Sequence, residues 1–374
     1  MNTENTNAAK ELPKVLTFGE NNEWAVHHDD GCLIFHPQWN TNPHNTSTYI
    51  WREAWEFVQN QGGFDNLVAR LRDIKARKYK KLLLNFAEET GVDPSFVGFQ
   101  GHDFSFRGMS GAEDAAMTGA GHLTSFVGTD TVPAIDFLED YYNANADKEL
   151  VGCSVPATEH SVMTLNAKFG EGEPDEYDSF KRLITELYPI GIVSIVSDSF
   201  DFWGVLSKIL PNLKEEIMAR NGKVVIRPDS GDPVKIVAGY NNDEYYLDNG
   251  YFKEVGTDKI LNLNEIIGAV ELLWAIFGGT VTDKGYKSLD SHIGLIYGDS
   301  ITLDRANEIL TRLKNKGFAS NNIVFGIGSY TYQYQTRDTL GFAVKATAGI
   351  VNGEVKEIFK KPKTDDGMKN SAGC

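Results

Sequence analysis

Three short segments of this chain end alike: a β-branched apolar run closes in a small residue or a proline, then Asp-Ser. They are Ile195-Val196-Ser197-Asp198-Ser199, Val224-Val225-Ile226-Arg227-Pro228-Asp229-Ser230 and Gly294-Leu295-Ile296-Tyr297-Gly298-Asp299-Ser300. A continuous apolar run of this length reads as a strand buried on both faces, and its end must surface in a loop. Carboxylates at the ends of several successive parallel strands are how an α/β barrel presents polar chemistry. The pattern therefore points to an α/β fold and to an enzyme.

The rest of the chain extends that alternation. Eight strand candidates can be read: Gly98–Phe104, Leu123–Thr129, Val151–Pro156, Ile192–Asp198, Val224–Asp229, Ile293–Asp299, Asn322–Gly328 and Phe342–Thr347. Amphipathic helices lie between several of them. Thr302–Lys316 carries Ala306, Ile309, Leu310 and Leu313 on one face, with Gly317 placed as its C-cap, and Asn264–Phe277 runs into Gly278-Gly279. Strand and helix in alternation imply a (β/α)8-type barrel over 97–350. Residues 1–45 lack clear periodicity, and 37–45 read as loop. Residues 46–96 form a helical lead-in with a basic, solvated face, and 351–374 a basic tail. An aromatic-rich insertion around Tyr240–Tyr251 interrupts the gap between the fifth and sixth strands.

Bulk properties narrow the classes. At 374 residues, 41% hydrophobic and 24% charged, the chain can bury a large core. A net charge of -16 argues against a general binder of nucleic acid or anionic membrane, but leaves room for a local positive pocket. Cys32, Cys153 and Cys374 make neither a disulfide framework nor a metal-ligand spacing, which implies a reducing cytoplasm. Residues 1–14 have no apolar core of a signal peptide, and no apolar run approaches membrane-spanning length.

Each strand end admits a chemical and a structural reading. In His102-Asp-Phe-Ser-Phe-Arg-Gly, Phe104 offers a ring face and Arg107 a phosphate fork, or they are a core aromatic and a surface arginine. Asp130, in Gly128-Thr-Asp-Thr, either accepts hydrogen bonds from an amide or ammonium group or caps the helix over 132–142. Ser154-Val-Pro-Ala-Thr-Glu-His carries His160, a general base, a phosphate-accepting nucleophile or a structural histidine, with Asp198 as a carboxylate partner. In Arg227-Pro-Asp-Ser-Gly-Asp-Pro, Asp229 suits a sugar diol and Arg227 a phosphate or ring, although the segment also reads as a turn. Gly326-Ile-Gly-Ser lets backbone amides approach a phosphate, with Arg337 and Lys345 as counter-charge.

Taken in order, these segments resemble the nicotinamide phosphoribosyltransferases, of the type II phosphoribosyltransferase family. The carrying motifs are His102-Asp-Phe-Ser-Phe-Arg-Gly, Gly128-Thr-Asp-Thr-Val, Ser154-Val-Pro-Ala-Thr-Glu-His-Ser, Val196-Ser-Asp-Ser-Phe-Asp, Ile226-Arg-Pro-Asp-Ser-Gly-Asp-Pro, Gly298-Asp-Ser and Thr336-Arg-Asp, over residues 70–370. The resemblance implies an irregular α/β barrel with a smaller, here incomplete, second domain, in a homodimer. It implies the reaction of nicotinamide with phosphoribosyl pyrophosphate to nicotinamide mononucleotide and pyrophosphate, with Mg²⁺, and with ATP phosphorylating a histidine. On this resemblance Phe104 stacks on the pyridine ring, Asp130 accepts from the carboxamide, and Arg227 lies against the ring. Asp229 binds ribose hydroxyls, Asp299 and Gly328 lie by the ribose phosphate, and His160 is phosphorylated beside Asp198. Ser154 and Ser329 belong to the substrate-binding set, and Arg107, Arg337, Lys345 and Lys360 hold phosphate groups.

The chain departs from the family at its ends: the N-terminal Asp-Ser-Tyr-Lys does not occur, and less of the second domain follows Lys369. These departures imply a truncated or interrupted member completed by a separate N-terminal polypeptide, or a short variant with a rebuilt N-terminal domain. Two alternative functions stay open, nicotinate phosphoribosyl transfer on the same fold and a catalytically incomplete subunit.

Overall fold

The computed structural model describes residues 15–18, 24–28, 31–35, 67–169, 174–333, 348–357 and 363. The chain divides into two compact units, the first comprising 1–83, 97–154 and 327–339, the second 84–96, 155–326 and 340–374. Three short strands open the chain: β1 (Val15–Phe18), β2 (Trp24–His28) and β3 (Gly31–Phe35) form an antiparallel meander, with His28 paired to Gly31. Their periodicity does not show in the sequence of 1–45, which reads as lacking a clear pattern. Strands of four and five residues are too short for alternation to stand out, although Asp29-Asp30-Gly31 is a turn signal.

In the first unit, α1 (Leu67–Thr90) begins, and β4 (Gly101–Asp103), α2 (Ala112–Leu123), β5 (Gly128–Thr129) and α3 (Pro133–Tyr142) follow. Small residues let the helices close up. A Cβ on Gly121 would lie 2.5 Å from the Ala69 carbonyl oxygen, and one on Gly119 2.8 Å from the Ala134 methyl group. Ala69, Ala120, Leu123, Ala134, Leu138, Tyr142 and Val151 share one core cluster. Pro133 starts α3, where its missing N–H costs nothing, and Asn143 stops it in the left-handed conformation (φ 58°). β4 and β5 are parallel, with His102 opposite Gly128 and Asp103 opposite Thr129.

In the second unit, four parallel strands lie in the order β14 (Val324–Ile327), β13 (Ile293–Tyr297), β7 (Asn221–Arg227), β6 (Ile190–Val196). Along β6 the first three residues are exposed and the last four buried, so the strand sinks into the core towards its carboxyl end. The helix Leu303–Asn315 buries Ala306, Ile309, Leu310 and Leu313, is capped by Thr302, and is followed by Gly317 at φ 79°, as its periodicity implied. The aromatic insertion is an antiparallel sheet of β8 (Tyr245–Asp248), β9 (Tyr251–Glu254) and β10 (Ile260–Leu261), and a second antiparallel pair, β11 (Gly279–Val281) and β12 (Lys287–Leu289), precedes β13.

Six of the eight expected strands form, and the architecture is the expected α/β type. Val151–Pro156 is not a strand. Cys153 makes an isolated parallel bridge to Gly128, and Ala157 makes another to Ser194. Pro156 supplies no amide for a continuous ladder. The eighth candidate, 342–347, lies outside the described residues, as do 36–66. The helix expected over Asn264–Phe277 is two, Leu263–Ile267 and Ala269–Phe277. Gly268 breaks it at φ 88°, where a Cβ would lie 2.3 Å from the Gly239 nitrogen.

Candidate functional site

The first unit presents a polar cluster at the ends of β4 and β5. Alternation along the chain from β4 sends His102 and Phe104 one way and Asp103 and Ser105 the other. The His102 and Phe104 rings lie 5.1 Å apart, centroid to centroid, and the Phe104 amide is fixed by the Ile327 carbonyl at 3.0 Å. On the other side Asp103 and Ser105 are buried with Arg72. Arg72 donates to Ser105 Oγ at 2.7 Å, lies 3.8 Å from the Asp103 carboxylate and 4.6 Å over the Tyr332 ring. A buried guanidinium is tolerable only with such partners.

Asp130 follows β5. One of its carboxylate oxygens, Oδ1, lies 2.7 Å from both His102 Nε2 and Ser154 Oγ, and its side chain is 44% exposed. Helix α3 receives no side-chain cap, so the capping reading of Asp130 does not hold. Beneath it, buried His122 donates from Nε2 to the Gly128 carbonyl at 2.9 Å and accepts at Nδ1 from the Tyr332 hydroxyl at 2.6 Å. Burial pushes the His122 imidazole down to about 4, because a charged ring there would lose its hydration. Arg107 is exposed in the turn Phe106–Gly108. Gly328 faces open space, and Ser329, which follows it, is buried.

The second unit presents another cluster at the ends of β6 and β7. The pairing continues past both strands: the Ser197 amide donates to the Arg227 carbonyl at 3.0 Å, and the Asp229 amide to Asp198 Oδ2 at 3.0 Å. Asp198 is wholly buried. His160 opens the helix His160–Asn166. Its Nε2 lies 3.8 Å from Asp198 and 3.9 Å from Asp229, and its Nδ1 3.3 Å from Ser199 Oγ. Arg227 donates to the Thr158 carbonyl at 3.0 Å, and the Thr158 hydroxyl accepts from the Val196 amide at 3.0 Å. Burial, then the Asp198 charge, raises the Asp229 carboxyl above its ordinary range. Asp299 follows β13 and accepts from Ser300 Oγ at 3.2 Å.

The structure thus gathers Phe104, Asp130 and Ser154 in one unit and His160, Asp198, Arg227 and Asp229 in the other. Arg337, Lys345 and Lys360 lie outside the described residues. Three further residues belong to these clusters. From sequence, His102 stands out only as part of a motif. Ser199 is half of an Asp-Ser pair and could have been found from it. Glu176 is 3% exposed, its Oε1 is buried with no hydrogen-bond partner among the described residues, and burial followed by Asp198 pushes its carboxyl up to about 8. Nothing in a Pro-Asp-Glu-Tyr loop signals such burial.

These features define an α/β protein whose carboxylates, histidines and arginine collect at the carboxyl ends of parallel strands. Residues 99–374 match the nicotinate phosphoribosyltransferase (NAPRTase) family, and the chain belongs to it. It is 56% identical over 303 residues to a nicotinamide phosphoribosyltransferase of Acinetobacter baylyi, covering 79% of this chain and 55% of that one. It is 38% identical over 300 residues to the enzyme of that name from Mycoplasma pneumoniae, covering 80% and 58%. The corresponding figures for the one from Xanthomonas campestris are 35% over 297 residues, 79% and 55%. The chain therefore spans a little over half the length of these curated relatives.

Proposed function

We propose that the chain carries nicotinamide phosphoribosyl transfer: nicotinamide and phosphoribosyl pyrophosphate give nicotinamide mononucleotide and pyrophosphate, a step of pyridine nucleotide salvage. The observation that carries this reading is Asp130, an exposed carboxylate anchored by His102 and Ser154 at a strand end where Phe104 also lies. A carboxylate accepts from a carboxamide N–H and repels the carboxylate of nicotinate, which disfavours the nicotinate alternative.

Phe104 stacks on the pyridine ring, and Arg227 lies against the ring and phosphate. Asp229 holds ribose hydroxyls. Asp299, Gly328 and Ser329 lie by the ribose phosphate, and Arg107, Arg337, Lys345 and Lys360 bind phosphate groups. Pyrophosphate leaves as positive charge builds on C1′, and the ring nitrogen, held by stacking and the amide contact, forms the new bond. ATP transfers its terminal phosphoryl group to His160, releasing ADP. Asp198 and Asp229 near the ring favour the positive charge that develops on it.

Mg²⁺, when bound, neutralises the diphosphate. Among the described residues no group of three or more acidic, histidine or cysteine side chains forms a metal cage. Asp229 and Asp299 lie near enough for the Asp299 charge to raise the Asp229 carboxyl, and they would hold the ion together with substrate phosphates. On this reading the protein acts in the cytoplasm as a homodimer, as the family resemblance implies. Among the described residues no helix is long and apolar enough to cross a membrane.

The test is mononucleotide formation by the purified chain with nicotinamide, phosphoribosyl pyrophosphate and Mg²⁺, with and without ATP. Product that rises with ATP is expected. A folded chain that makes none overturns the reading for this polypeptide by itself.

A further inference from the structure

We propose that His102 and Ser154 are positioning residues for base selection: together they hold the Asp130 carboxylate in one orientation, and so set the preference for a carboxamide over a carboxylate. The inference deepens the reading given above and rests on it.

The argument begins with the β4–β5 register. His102 stands opposite Gly128, and Asp130 follows two residues on, where the strand period returns towards the same face. Any side chain at 128 would fill the space between them. A Cβ there would lie 2.8 Å from His102 Nδ1 and 3.1 Å from the Gly101 carbonyl oxygen. With glycine in that place, the imidazole leans across β5 and its Nε2 comes within 2.7 Å of Asp130 Oδ1. An ionised carboxylate only accepts, so this short contact puts the proton on His102 Nε2.

Ser154 reaches the same oxygen from another segment. Cys153 is tied in by two backbone bonds, its amide donating to the Val127 carbonyl at 2.7 Å and its carbonyl accepting from the Thr129 amide at 2.9 Å. The residue after it then puts its hydroxyl 2.7 Å from Asp130 Oδ1. A third tie, from the Asp130 amide to the Asp103 carbonyl at 3.0 Å, holds the backbone. A side chain 44% exposed would ordinarily exchange rotamers, and two donors on one oxygen oppose that.

His102 is itself placed from two sides, by the Asp130 contact and by the Phe104 ring at 5.1 Å. The side chain that orients the carboxylate thus also rests on the ring assigned to stack on the pyridine. Losing His102 loosens both the acceptor and the stacking face, whereas losing Ser154 loosens the acceptor alone.

The experiment is a binding titration with nicotinamide and, separately, with nicotinate, on the full chain and on His102→Ala, His102→Gln, Ser154→Ala and Asp130→Ser. His102→Ala is expected to lower the ratio of the two affinities roughly tenfold, as the loss of one charge-assisted hydrogen bond would. Ser154→Ala should lower the ratio by a smaller factor with little change in ring stacking. His102→Gln, whose amide N–H can occupy the place of Nε2, should restore much of it. A purely structural role for His102 would weaken both ligands alike and leave the ratio unmoved.

If His102→Ala and Ser154→Ala both keep the full preference while Asp130→Ser loses it, the positioning role is wrong and the proposed function stands. If the unaltered chain shows no preference for nicotinamide, both fall.

Discussion

The two strand-end clusters use the same residue types in opposite ways. At the ends of β4 and β5, histidine and carboxylate are in direct contact at 2.7 Å, and the carboxylate is 44% exposed. At the ends of β6 and β7 the histidine stands 3.8 and 3.9 Å from two carboxylates, one of them wholly buried. A short contact to an exposed acceptor fixes direction, which suits recognition of a neutral base. Buried charge at a slightly longer range fixes little direction but creates a field, which suits a group whose charge changes during reaction. On the proposed function the first cluster would recognise the base and the second would handle charge.

The strongest way to break this contrast is to remove His160. His160→Ala should lower kcat by about 10²- to 10⁴-fold and abolish stimulation by ATP, read from steady-state rates with and without ATP. Stimulation that persists would deny the second cluster its charge-handling role.

Glu176 sharpens the same point through stability. Its folded carboxyl titrates at about 8, above the ordinary range, so between pH ~4.5 and 8 the folded state holds a proton the unfolded state has lost. Stability therefore falls as pH rises through that window, by about 4 kcal/mol at its upper end. Glu176→Gln should remove this slope, so melting curves at pH 5 and pH 8 would converge.

His122 makes the opposite test in the first unit. Its folded imidazole titrates at about 4 against about 6.5 when unfolded, so the unfolded state binds the extra proton between those values. Stability is complete above pH ~6.5 and falls by about 3 kcal/mol as pH drops to 4. Denaturant unfolding of the chain and of His122→Gln across that range would show whether the slope belongs to this residue.

The smallest of these four effects concerns the recognition cluster itself. Asp130→Ser should cut the preference for nicotinamide over nicotinate about 10- to 100-fold in kcat/KM. An unchanged preference would mean that the exposed carboxylate does not read the base.

The strands that carry these clusters were legible because buried parallel strands leave continuous apolar runs, as along Val224–Ile226. Their Asp-Ser endings marked Asp198, Asp229 and Asp299 in advance. Helix Leu303–Asn315 was legible from its face and its glycine stop. The break at Gly268 was not, because it depends on the approach of Gly239 from another segment. Nor was the fate of Val151–Pro156, where each side of a short segment bridges a different strand.

Local pattern is enough for the α/β alternation, the strand ends that carry carboxylates and the motif set that places the chain in its family. Those are properties of residue order: apolar runs, turn residues and their spacing. Which side chains act on which follows from the packing of the folded chain. That His102 reaches Asp130 depends on strand register and on the space left by Gly128, and that Glu176 lies buried among carboxylates depends on packing. Hydrogen-bond partners and burial arise from segments distant along the chain, and no local pattern encodes them.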